Sequence, residues 1–117
     1  MQYILLIHED EALWEKYTEA EAGEIMQGYQ RFSENLVASG GMLGGERLQP
    51  SHTATTVRVR NQETMLTDGP YAESKEQLGG YYLVEATDLD AATKIAAEIP
   101  GASTGCVEVR PIWPMGD

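Results

Sequence analysis

The run Tyr3-Ile4-Leu5-Leu6-Ile7 is apolar on both alternating faces of an extended strand, with His8 closing the second row. Successive strand side chains point to opposite sides of a sheet, so Tyr3, Leu5 and Ile7 need a cover on one side and Ile4 and Leu6 on the other. Such a strand belongs in a sheet with something packed against each face. The chain has 117 residues, 42% of them apolar. That is one domain, spanning 1–117, with enough apolar surface for a core that needs neither metal nor disulfide.

Further along, Thr18 and Glu21 have the spacing of a capping box, and Ile25, Tyr29, Phe32 and Leu36 then recur at helical spacing until Gly40-Gly41 stops them. Leu43 to Leu48 reads as a short strand. Thr55 to Arg60 is a stronger one, with Val57 and Val59 on one side and Arg58 and Arg60 on the other. Asn61-Gln62-Glu63 turns the chain into Thr64 to Thr67. Tyr81 to Ala86 has the aromatic and β-branched density of a central strand. Thr87 or Asp88 caps a second helix, whose Ala92, Ile95, Ala96 and Ile99 form one narrow stripe before Pro100-Gly101. Val107 to Trp113 is a last strand, best placed at an edge because Pro111 lacks an N–H. Cys106 reads as a packed thiol inside that strand.

This order is that of an α+β, ferredoxin-like unit in which two helices cover one face of a mainly antiparallel sheet. The other face of the first strand is then bare, and a second copy packed sheet to sheet covers it. The chain is therefore expected to form a homodimer.

Composition narrows the function classes. Eight Lys and Arg against nineteen Asp and Glu give a formal charge of −11, which disfavours nucleic acid and anionic lipid. The first apolar run is too short for a membrane span and meets Glu9-Asp10-Glu11, so a cytoplasmic location is expected. One cysteine excludes an intrachain disulfide framework. Two histidines, His8 and His52, without a cysteine pair or a His-Glu-x-x-His motif argue against zinc. Gly40 to Gly45 follows a helix and precedes a strand, the reverse of a phosphate-binding loop.

The densest chemistry lies in Asp68-Gly69-Pro70-Tyr71-Ala72-Glu73-Ser74-Lys75-Glu76. An aspartate normally accepts the N–H two residues on, and here that residue is Pro70, which has none. Asp68 is thus a candidate base or ligand acceptor. His8, at a strand end, is a candidate acid/base partner. Tyr71, Glu73, Lys75 and Tyr82 are candidate ligand contacts, Lys75 for an anionic group and the tyrosines as pocket walls.

The stretch from Thr67 to Tyr82, with the first strand and Val107 to Pro111, resembles the YCII-related family, and within it the branch named for an Asp-Gly-Pro-Phe motif. Here the motif ends in Tyr71 rather than Phe. The resemblance implies a dimeric ferredoxin-like α/β barrel, in a superfamily that includes muconolactone isomerases and cofactor-free monooxygenases. It also implies a link to alternative sigma factors for this branch. The founding branch carries a His-Asp acid/base site with its histidine in the first helix, where this chain has Tyr29, so that dyad does not transfer.

Two functional expectations follow. One is a small-molecule enzyme without cofactor, doing proton transfer or isomerisation with Asp68 and His8. The other is a non-catalytic ligand-binding or regulatory dimer associated with a sigma factor.

Overall fold

The computed structural model describes residues 1–115. Strand β1 (Gln2–Glu9) leads through a short helix α1 (Ala12–Lys16) into the long helix α2 (Glu19–Ala38) and strand β2 (Met42–Arg47). A hairpin follows, of β3 (Thr55–Arg60) and β4 (Glu63–Asp68). Strand β5 (Gln77–Glu85), helix α3 (Leu89–Ala97) and strand β6 (Cys106–Pro111) complete the chain. The main sheet runs β2-β5-β1-β6 with every neighbouring pair antiparallel, and β3-β4 forms a separate two-stranded sheet. This is the α+β, ferredoxin-like arrangement, with the hairpin inserted between β2 and β5.

Alternation along β1 decides the layers. Tyr3, Leu5 and Ile7 are buried beneath the helices, and Leu5 stands opposite Tyr82 on one side and Val109 on the other. Phe32 and Leu36 of α2, Ala92 and Ala96 of α3, Val84 and Ile99 close the core over them. Burying a Leu or Ile side chain of this kind stabilises the fold by about 1.5–3 kcal/mol. The alternate residues Ile4 and Leu6 face away from the helices, opposite Leu83 and Tyr81.

The local signals act as the sequence suggests. The Thr18 hydroxyl accepts the Glu21 N–H at 3.1 Å, and the Glu21 carboxylate accepts the Thr18 N–H at 3.0 Å. Of the two residues that could cap α3 it is Asp88 that does so, accepting the Ala91 N–H at 2.8 Å. Asn61 and Gln62 both take positive φ, 51° and 67°, as a two-residue hairpin turn with the twist of its strands requires. β6 lies at a sheet edge, where Pro111 leaves no ladder partner unsatisfied.

Three features differ from expectation. β5 begins at Gln77, so Gly79-Gly80 lie inside the strand rather than before it. Helix α1 has no apolar stripe long enough to read, and it buries no residue fully. Cys106 is exposed, not packed, because the first residue of an edge strand has a neighbour on one side only; its thiol lies 3.8 Å from a Glu76 oxygen. No helix among the described residues is long and apolar enough to cross a membrane.

Thr18→Ala removes one side of the reciprocal cap and should lower stability by about 1 kcal/mol, read as a lower urea midpoint at unchanged slope.

Candidate functional site

The β1 alternation that buries Ile7 under the helices also sends Glu9, two residues on, to the same side, just where the sheet runs out. Tyr29 lies one turn before the buried Phe32 on α2, and its hydroxyl donates to Glu9 Oε1 at 3.2 Å. The other oxygen of Glu9 accepts the Thr104 hydroxyl at 3.0 Å. The turn Pro100–Ala102 completes the enclosure. A Cβ on its buried Gly101 would stand 2.6 Å from Glu9 Oε1 and 2.7 Å from the Tyr29 oxygen, so only glycine lets the backbone approach the pair.

Glu9 and Tyr29 open into a hollow of about 960 Å³ between α2, the ends of β1 and β5, and the segment 45–52. That is the size of a small-molecule site. Glycines line it where neighbouring strands approach too closely for a side chain. Gly80, opposite Ile7, and Gly45, opposite Tyr82, both line it. A Cβ on Gly45 would lie 2.8 Å from the Tyr82 ring, which crosses β2 at that point. Tyr82 packs edge-on against Phe32 with centroids 4.9 Å apart, and its hydroxyl is 3.2 Å from that of Ser33.

At the rim, α1 presents Trp14, and the Arg47 guanidinium lies 5.1 Å from its ring centroid. Glu11 accepts both the backbone N–H of Ser51, at 2.7 Å, and the Ser51 hydroxyl, which ties the end of β1 to the segment after β2. The carboxylates of Glu9, Glu11, Glu15 and Glu46 outnumber the cationic Arg47 around the opening. Among the described residues no group of three or more His, Cys, Asp or Glu is placed to hold a metal ion.

Of the residues singled out from sequence, Tyr82 lines this hollow; Asp68, His8, Tyr71, Glu73 and Lys75 do not. His8 is half-buried on the opposite side of the sheet, level with Leu78 and Cys106. Asp68 ends β4 at the root of the hairpin. It is exposed. Asp68 and His8 belong to different sheets, with no hydrogen bond between them. Tyr71 is 82% exposed and lies under Arg58, 5.8 Å from its guanidinium. Glu73 and Lys75 are exposed in the loop leading to β5. Glu9 is not among the candidates read from sequence, where Glu9-Asp10-Glu11 stands only as the acidic run that ends the first apolar stretch. The sequence carries a signal for it: two-residue alternation puts it in line with Ile7, and Tyr29 belongs to the helix stripe that covers that line.

Burial, then the negative charge and hydrogen bonding of Glu9, push the Tyr29 phenol well above its usual value. The hydroxyl therefore stays protonated at neutral pH and serves as a donor beside a carboxylate.

This is an α+β, ferredoxin-like domain with a half-open hollow between its first long helix and the sheet. The chain belongs to the YCII-related family, whose domain it matches over residues 1–116. It is also 36% identical over 114 residues to the uncharacterized protein R00369 of Rhizobium meliloti (strain 1021), covering 96% of this chain and 92% of that protein.

Ultraviolet titration should find one phenol, missing from the Tyr29→Phe spectrum, that ionises only well above the usual tyrosine range. A folded-state value raised above the unfolded 10.0 means that the Tyr29 contribution is fully present below pH 10 and declines as the pH rises beyond it. Tyr29→Phe should flatten that alkaline decline in melting temperature.

Proposed function

We propose that this YCII-related protein is a cofactor-free enzyme that moves a proton on a small molecule bound in the hollow beneath α2. The observation that carries this reading is the Tyr29–Glu9 pair facing a cavity of about 960 Å³. Glu9 is the base: it takes a proton from a carbon beside a carbonyl, and returns it to another position in an isomerisation. Once Glu9 is protonated it no longer needs the Tyr29 hydrogen bond, and the Tyr29 hydroxyl turns its single proton to the oxygen on which charge then develops. A protonated phenol suits that role because the bond strengthens as the charge forms. Thr104 holds the second Glu9 oxygen, and the Tyr82 and Trp14 rings give the apolar wall that orients a ligand. Asp68, of the Asp-Gly-Pro turn, belongs to this reading as an outlying group at the hairpin root, where its exposed carboxylate can meet a second copy.

A thermal-shift screen of small carbonyl metabolites, followed by proton NMR in deuterium oxide on the hits, tests the chemistry. Wild type should incorporate deuterium, and Glu9→Gln should bind the same hits while exchanging about 10²–10⁴-fold more slowly. Unchanged exchange in Glu9→Gln would remove Glu9 from the reaction.

The assembly we propose is a homodimer packed sheet to sheet as a dimeric α/β barrel. It is supported by the row Ile4, Leu6, Tyr81 and Leu83, which no helix covers. Light scattering should return twice the chain mass, and a monomer at micromolar concentration would overturn it.

A further inference from the structure

The β3–β4 hairpin is the part of this molecule that its own chain leaves without support. Hairpin pairing places Val57 opposite Leu66 and Val59 opposite Thr64, so Val57, Val59 and Leu66 share one face. They are 58%, 58% and 68% exposed. Every residue of β4 is exposed, and the two strands pack substantially against each other and no other element. A two-stranded hairpin with nothing against its apolar face is marginal in water.

The dimensions agree. The chain measures 48 × 47 × 18 Å with a radius of gyration of 16.2 Å, against roughly 13 Å for a compact domain of this length. It exposes 8417 Å², whereas a compact monomer of 12.9 kDa exposes roughly 6,300 Å². The excess of about 2,100 Å² is what each copy in an obligate homodimer typically loses to its partner.

Charge selects the occupant. The chain carries −11, yet within the hairpin Arg58 and Arg60 balance Glu63 and Asp68. A neutral arm on an acidic body can approach a second acidic body without the repulsion the rest of the surface would meet. A basic partner would be drawn to the body instead.

We infer that the β3–β4 hairpin is an intersubunit arm, docking its Val57, Val59 and Leu66 face onto a second copy of this chain. The inference rests on the homodimer proposed above and adds that the arm, beyond the bare sheet face, holds it together. Alternation puts Asp68 on the same side of β4 as Leu66, so the arm carries this carboxylate toward the partner.

Hydrogen–deuterium exchange of the wild-type chain, read by mass spectrometry across a dilution series with light scattering on the same samples, tests this. Amides of residues 55–68 should be protected where the mass is that of a dimer and lose at least tenfold in protection where it is that of a monomer, while β1 and β5 stay protected at both. Val57→Asp/Leu66→Asp should raise the dimer dissociation constant at least 100-fold with the core exchange unchanged. A wild type that is monomeric throughout would overturn the homodimer and the arm together. A dimer in which the amides of 55–68 exchange without protection, or which the double variant leaves intact, would overturn the arm alone and leave the sheet-to-sheet dimer standing.

Discussion

Strand β1 is the constraint on which the rest of this structure depends. It is hydrogen-bonded on both edges, to β5 and β6, and its three inward side chains lie under both long helices. Everything at the candidate site is measured from where that strand stops. Ile7 is its last buried residue, and Glu9 is the next on the same side, still held by the ladder through Gln77 but beyond the full cover of the helices. A charged group could not occupy the Leu5 position without a large desolvation cost. Two pairs further along, the same row meets the opening between α2 and the segment after β2, and a carboxylate becomes affordable there with two hydroxyls donating to it.

Gly45 and Gly80 line that opening where β2 and β5 approach too closely for a side chain, and Gly101 leaves room in the turn behind Glu9. The strands themselves continue through Gly45 and Gly80 because their ladder partners are in place, which offsets the low strand preference of glycine. Packing and chemistry thus meet in the same few residues. Within the apolar stripe of α2, the Tyr29 ring packs against the core while its hydroxyl reaches Glu9. Tyr82 does the same from β5 toward Ser33.

Much of the fold could be read from local signals because those signals are energetically local. The Thr18–Glu21 box, the Asn61-Gln62 turn and the two-sided apolar run of β1 each act within a few residues, and each lies where the sequence places it. The position of the hollow depends instead on distant pairs. Glu9 meets Thr104 across 95 positions and Glu11 meets Ser51 across 40, and no periodicity encodes either contact. Gly79-Gly80 looked like punctuation before a strand because a glycine pair usually breaks pairing. Gly80 is held inside β5 by partners on both sides, Ile7 and Arg47, while Gly79 is taken up by the register shift between Ile7 and His8, and only the topology supplies either.

The Asp-Gly-Pro turn illustrates the same division. Its geometry is local and legible: Pro70 denies Asp68 the usual backbone partner, and Gly69 takes φ of 103° to bring the chain out of the hairpin, its N–H donating to Ala54 and its carbonyl accepting the Thr56 hydroxyl. Its place in the molecule is not local. The turn closes the root of an arm that leaves the body between β2 and β5, so the carboxylate it frees stands outside the hollow of its own chain. A side chain denied its usual backbone partner and a face of valines and leucine kept bare by its own core are consequences of one insertion. Both leave surface open to another molecule, and in the assembly proposed above that molecule is a second copy of this chain.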